Sequence, residues 1–314
     1  MTGDIGRRRM LALAAAGWAG AAAGPGLAGA RRAAAADLTG TWTNASYTWL
    51  QRPKALKTLV LSPAEAEAYE APRRGLRGEL ASKADDLGQN ESEFPDNGPG
   101  LARIRGEIRS SWIVEPADGR IPWKAEARAR LHLGRDTGDY DNVEARDTDE
   151  RCLTEASGFA PLLNSHDANL IEIVQTPRWV AIVGEKNHET RIVDLSGAGG
   201  PRPGSWTGVS RGRWEGATLV VATTDLRPGA TKIADDLYLS DRARVTERFT
   251  RTGPGEISYL FEIDDPSLFT QVWRGEEVFR PAEGRMFEYA CHEGNYSLPG
   301  ILAGARQAAA AAGK

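Results

Sequence analysis

The chain has 314 residues, with 39 basic against 43 acidic side chains, a formal charge of −4, nine tryptophans and two cysteines. The bases are interspersed with acids rather than gathered into a stripe that could track phosphates, which excludes a nucleic-acid partner. The length is ample for one large β domain with a substantial core.

At the amino terminus, Arg7-Arg8-Arg9-Met10-Leu11 opens an Ala- and Gly-rich run to Ala30, the pattern of an export signal. The paired arginines point to the Tat route and a periplasmic destination. Gly17, Gly20, Gly24, Pro25, Gly26 and Gly29 interrupt the run, so it does not read as a stable span of about 20 apolar residues, and no later segment is apolar enough to cross a bilayer. Ala28-Gly29-Ala30 and Ala34-Ala35-Ala36 both fit a cleavage site. The later cut makes residues 1–36 a Tat-type signal peptide and 37–314 a single domain.

Gly40-Thr41-Trp42 resembles the Gly-x-Trp opening of lipocalin-like barrels, where the Trp plugs one barrel end. Ser62, Pro63 and Glu65 form a capping box that starts a helix, and Arg73 to Gly100, without any period, reads as a long loop or lid. Ser111 to Val114 and Arg120 to Trp123 read as a hairpin about Pro116–Gly119, with a helix over Lys124 to Leu133. Further hairpins join Leu170–Val174 to Trp179–Val183, Val209–Trp214 to Thr218–Thr224, and Ala243–Arg251 to Ile257–Ile263. Leu268–Trp273 and Phe287–Cys291 complete the strands, and 298–311 a terminal helix. Successive hairpins without βαβ spacing predict a mainly β fold, an antiparallel lipocalin-like (calycin-type) barrel or curled sandwich with a few short helices.

Strand alternation then singles out polar residues on apolar faces. Glu247 shares a face with Val245 and Phe249, so it is expected inside, either as a base of raised proton affinity or in a salt bridge to an interior Arg. Arg248 faces the other way, and Glu172 shares a face with Leu170 and Val174. The run Tyr289-Ala290-Cys291-His292-Glu293-Gly294-Asn295-Tyr296 packs a thiol, an imidazole, a carboxylate and two phenols together at a strand end. An imidazole moves protons near neutral pH, which makes His292 beside Glu293 the leading catalytic candidate. His166-Asp167 is a second base-and-orienter pair, His188 reads as solvated in a turn, and His132 as part of a helical face.

Cys152 and Cys291 are the only thiols, and in an exported protein they invite pairing; the alternative makes Cys291 and His292 metal ligands, without the usual ligand spacing. No metal and no cofactor are expected. Gly-x-Ser-x-Gly, Gly-x-x-x-x-Gly-Lys, His-Glu-x-x-His and a dinucleotide fingerprint after a strand are all missing.

Three segments, Gly208-Val209-Ser210-Arg211-Gly212-Arg213-Trp214-Glu215-Gly216-Ala217-Thr218-Leu219-Val220-Val221, Val245-Thr246-Glu247-Arg248-Phe249-Thr250-Arg251 and the Tyr289 to Tyr296 run closed by Gly300 to Arg306, resemble a large family of exported β-rich bacterial proteins, for the most part without an assigned reaction. The resemblance covers nearly all of the chain after residue 37. Ala217 stands where that family usually has Asp, so no role is placed there. It implies export and a β fold and leaves the reaction open.

Proton transfer in a shaped apolar cavity is the chemistry this inventory allows. The expected activity is a cofactor-independent lyase, eliminating or releasing by retro-aldol cleavage a small fragment such as formaldehyde from an aromatic or apolar compound. His292, Glu293 and Glu247 would move the proton, and Tyr289, Tyr296, Arg248, Trp214 and Trp123 would bind the substrate. The alternative is a non-catalytic periplasmic carrier of an apolar ligand.

Overall fold

The computed structural model describes residues 36–82, 98–130, 140–154, 158–165, 169–197, 204–227, 231–234 and 237–313. The expected signal peptide up to residue 35, with nearly all of both expected cleavage sites, and the candidates His132, His166 and Asp167 lie outside them. Strand β1 (Gly40–Thr43) and β2 (Val60–Leu61) precede helix α1 (Pro63–Ser82), followed by β3 (Arg103–Ile104), β4 (Glu107–Arg109), β5 (Ile113–Glu115) and helix α2 (Ala125–Arg130). Next come β6 (Leu170–Gln175), β7 (Trp179–Gly184), β8 (Thr190–Asp194), β9 (Val209–Glu215) and β10 (Thr218–Thr224). A small hairpin of β11 (Thr231–Ala234) and β12 (Leu237–Leu239) leads into β13 (Arg244–Gly253), β14 (Glu256–Asp264) and β15 (Trp273–Pro281), and helices α3 (Cys291–Gly294) and α4 (Ser297–Ala311) end the chain.

The main sheet runs β1-β6-β7-β8-β9-β10-β13-β14-β15, and β15 returns to pair with β1 through Trp42 opposite Pro281. Nine strands thus close into the expected lipocalin-like barrel. β5 adds to the other end of β15, with Glu115 opposite Arg274. The pairings are antiparallel except that β8 and β9 run parallel, Val193 facing Ser210. Alternation fills the lumen: Ile257, Tyr259, Phe261 and Ile263 of β14 are all buried, opposite Val245 and Phe249 of β13 and Phe279 of β15. Phe249, Tyr259 and Phe279 meet ring to ring at 4.9 and 5.0 Å, and Phe261 stands edge-on to Trp273 at 5.9 Å. Trp42 is buried in this same core, its indole N–H donating to the Leu38 carbonyl at 3.0 Å. Phe159, Ala160, Leu162 and Leu163, from a segment without strand or helix, pack into the core as well.

Three local expectations are corrected. Helix α1 continues through Arg73 to Ser82, where a loop is expected, because Arg74 pairs with Glu67 and with Glu70 at 2.9 Å and the Arg73 guanidinium lies 3.6 Å over the Tyr69 ring. The pairs four residues apart, Tyr69 with Arg73 and Glu70 with Arg74, support the helix past Pro72. The capping box itself is present, with Ser62 N–H donating to Glu65 at 2.8 Å and Glu65 N–H to Ser62 Oγ at 3.3 Å. The Ser111 to Trp123 hairpin does not form: β5 takes its partner from β15, while Trp123 bridges to Phe269. The last barrel strand is Trp273–Pro281 rather than Leu268–Trp273, and Phe287–Cys291 is not a strand at all. A closed barrel has no edge left to receive it, since β15 is flanked by β14 on one side and by β1 and β5 on the other.

Gly275 of β15 faces Phe261, and a Cβ there would stand 2.0 Å from that ring. Gly275→Ala should therefore destabilise by about 1–3 kcal/mol through overpacking. Thermal or urea unfolding of the variant checks this; an unchanged midpoint would mean that the ring moves aside at no cost.

Candidate functional site

Alternation along β13 turns Glu247 into the lumen, where it is fully buried. Its partner is Arg191 of β8. In the sheet β9 and β10 separate those two strands, so the contact crosses the lumen. The guanidinium grips both carboxylate oxygens, through Nη1 to Oε2 and through Nη2 to Oε1 at 2.8 Å. Tyr259 donates its hydroxyl to the same Oε1 at 2.8 Å and accepts from the Leu162 N–H at 2.9 Å. Arg191 also reaches Thr223 Oγ1 at 3.2 Å, itself 2.8 Å from Ser210 Oγ. Burial first, and then the Glu247 charge, push the Tyr259 phenol well above its usual range, so it stays protonated and donating. Glu247 is thus inside, as alternation requires, but held in an interior salt bridge with its acceptor sites taken. Arg191 shares the inward face of β8 with Val193 while Ile192 is exposed, so alternation would have revealed it had Thr190–Asp194 been recognised as a strand.

The Tyr289 to Tyr296 run behaves differently. Residues 284–290 carry no regular structure, Cys291–Gly294 forms one helical turn, and His292, Glu293 and Tyr296 are exposed, Tyr296 by 84%. The strand-face argument for His292 therefore fails, and its imidazole is not brought to Glu247 in the lumen. What anchors the run is the disulfide between Cys152 and Cys291, with Cα atoms 5.7 Å apart, which settles the thiols as paired rather than ligating. Asn295 Nδ2 donates to the Glu150 carbonyl at 2.7 Å beside it. A cleft of about 540 Å³ lies along this clasp, lined by Asp149, Cys152, Tyr289, Leu298 and Ile301, with Lys186 Nζ 5.6 Å from the Tyr289 ring. His292 is not among its lining residues.

The remaining candidates are dispersed. Arg248 lies on the outer face, donating to Glu215 at 2.9 Å. Trp214 packs half-buried on the core, and Trp123 meets Phe269 at a tilt, centroids 4.9 Å apart, so both serve packing. Glu172 is exposed, because Ile171 and Ile173 take the inward positions of β6 and leave Leu170, Glu172 and Val174 outside. His188 is exposed in its turn, as expected. Among the described residues no cluster of three or more His, Cys, Asp or Glu could hold a metal.

One carboxylate escapes the sequence reading entirely. Glu277 of β15 is fully buried opposite Tyr259, accepts from Asn44 Nδ2 at 3.0 Å through Oε2, and leaves Oε1 buried without a hydrogen-bond partner. No cation lies within ion-pair distance of it among the described residues. Burial raises its pKa well above the usual carboxylate range, and the Asn44 hydrogen bond offsets this only in part, so the site favours the protonated form of Glu277. Asn44 in turn lines a cleft of about 760 Å³ at the β1–β15 closure, where Leu101, Leu170 and Val278 give apolar wall and Arg103, Arg280 and Glu283 charged wall. Neighbouring Glu276 points outward to Arg109 at 2.9 Å and Arg105 at 2.7 Å. The signal was the Glu276-Glu277 pair on an alternating strand, hidden because that strand was placed several residues too early.

Because a buried ion pair is worth little whole but costly when halved, Glu247→Ala should destabilise by about 3–5 kcal/mol by leaving Arg191 uncompensated. His292→Gln should leave the midpoint of unfolding unchanged, since the imidazole is exposed. Denaturant titration of both variants distinguishes them, and the reverse order would contradict the assignment. Comparison of the chain with protein-family profiles, with curated proteins and with solved structures found no match.

Proposed function

We propose that this is an exported binding protein that carries a small, largely apolar molecule in the cleft at the β1–β15 closure. The observation behind this reading is the pairing of that cleft of about 760 Å³, part apolar and part polar in its walls, with a buried carboxyl of raised proton affinity behind one of its lining residues, Asn44. Ligand sites commonly combine apolar walls with a few convergent polar groups. Glu277 does not itself line the cleft, so the polar group it holds at the wall is the Asn44 amide, and the ligand of choice is an aromatic or aliphatic compound bearing a carbonyl or hydroxyl. The lyase reading needs His292, assisted by Glu293 or Glu247; His292 and Glu293 are exposed and Glu247 is locked to Arg191, and carriage needs none of them.

Export by the Tat route to the periplasm fits the Arg7-Arg8 pair and the Cys152–Cys291 disulfide, a bond that persists in oxidising compartments. Among the described residues no helix is long and apolar enough to cross a membrane. Replacing Arg7 and Arg8 by Lys should leave precursor in the cytoplasm, read by fractionation and immunoblot; undiminished periplasmic protein would remove the Tat assignment.

The binding reading is tested with a panel of small aromatic ketones, phenols and fatty alcohols, by calorimetry and thermal shift. A binder should lose affinity in Ala282→Trp, which fills the cleft, and should be recovered chemically unchanged. Turnover of any panel member would restore the enzymatic reading. Glu277 supplies a pH signature. An unfolded Glu titrates near 4.5, while the folded one holds its proton well above that. Between those two values the folded state keeps a proton that the unfolded state has lost, so stability falls as pH rises through the window and levels off beyond the folded pKa. Glu277→Gln, which stays neutral, should show no such fall; parallel curves for the two proteins would mean that Glu277 is not held neutral.

A further inference from the structure

On a different part of the surface, the turn after β1 and the turn after β5 form a cleft of about 480 Å³ lined by Arg52, Pro53, Lys54, Leu56, Lys57, Asp118 and Arg120. Four bases face one acid, a formal +3, in a chain whose total is −4. The floor is Arg52, only 6% exposed. Its Nη1 donates to the Ala117 carbonyl at 2.9 Å and the Lys57 carbonyl at 3.5 Å, while its Nε is buried with no hydrogen-bond partner. Carbonyls orient a guanidinium without neutralising it.

Other buried arginines of this chain are each matched to a carboxylate: Arg109 to Glu276, Arg146 to Glu150, Arg191 to Glu247. Among the described residues none lies within ion-pair distance of Arg52, Lys54, Lys57 or Arg120. Asp118, the single acid, turns its Oδ1 to the Arg120 backbone N–H at 3.0 Å. A buried charge is costly unless compensated, so the arrangement is complete only with an anion in place. Burial accordingly lowers the pKa of Arg52, an effect that Asp118 opposes and Arg120 adds to.

The surroundings are built rather than incidental. Arg52 N–H donates to the Gly119 carbonyl at 2.9 Å. Gly119 itself has φ of +69°, and a Cβ on it would lie 2.9 Å from Arg52 Cβ and 3.1 Å from its Cζ, so only glycine lets the second turn close against the guanidinium. Lys57 is folded back over its own turn, its Nζ donating to the Lys54 carbonyl at 2.9 Å, and its ammonium keeps further protons to donate.

We propose that this cleft is a binding site for a phosphate group, with Arg52 as its floor and Lys54, Lys57 and Arg120 around it. A phosphate dianion offers acceptor oxygens to several donors at once and offsets most of the excess charge. The small volume and the Pro53 and Leu56 walls fit inorganic phosphate or a compact phosphate ester.

The test is calorimetry and phosphorus NMR titration of the mature protein with inorganic phosphate at neutral pH and low salt, repeated on the double variant Lys54→Ala, Lys57→Ala. Both lysines are exposed, so the variant should fold like the wild type. Saturable binding that weakens about tenfold or more in the double variant is the expected result, with a thermal shift by phosphate in the wild type alone. Arg52→Lys, which keeps the charge but loses the planar fork, should weaken it as well. A non-saturating response, or equal binding by the double variant, overturns the proposal. A parallel sedimentation arm uses phosphatidylglycerol vesicles: association that inorganic phosphate fails to compete would assign the cations to a lipid surface and likewise overturn the small-phosphate site.

Discussion

A guanidinium on β8 and a carboxylate on β13 meet across the lumen, and much of the interior is arranged to make that contact tolerable. Each charge would be prohibitive alone in so buried a place, so the pair holds only because Arg191 grips both oxygens of Glu247 and Tyr259, Thr223 and Ser210 supply further hydrogen bonds. Tyr259 also takes the N–H of Leu162, which ties the irregular stretch around Phe159 to Leu163 into the same core. The network therefore joins one wall of the barrel to the other and both to the segment between them. A shift of β8 by one residue would turn Arg191 outward and leave Glu247 uncompensated, so the pair also specifies register.

Two interior carboxylates a strand apart from Tyr259 have opposite fates. Glu247 faces a cation and is held in an ion pair; Glu277, with only an amide for company, has its pKa raised by burial. The difference is one of neighbours, since both are fully buried. Asn44 hydrogen-bonds Glu277 on one side and lines the cleft at the barrel closure on the other.

Closure of the barrel explains the rest of the layout. With β1 and β5 both on β15, the last barrel strand is flanked on both sides, and residues after Pro281 run over the outside until the Cys152–Cys291 bond and Asn295 fasten them. Helix α4, without a buried residue, follows from that fastening rather than from a place in the core. The reactive-looking run from Tyr289 to Tyr296 is thereby a clasp on the surface, with a cleft beneath Tyr289 and an imidazole in solvent.

Much of the architecture was legible in the chain because hairpins are local. Alternation with Gly and Pro turns located β6, β7, β9, β10, β13 and β14, the inward face of Glu247, the outward face of Arg248, the α1 capping box and the terminal helix. What the sequence conceals is short or non-local: β8 has five residues, β5 pairs 159 positions away through Arg274 and Glu115, and the strand-like 287–290 joins no sheet. The candidate site followed the same division. Residue type and period determined that a carboxylate would be buried on β13, whereas which cation met it, that a second acid on β15 lacked one, and that His292 stood outside were decided by strand order around the closed barrel. Period reports only which face a side chain takes; its partner depends on which distant strand arrives opposite, and that is a property of the closed sheet as a whole.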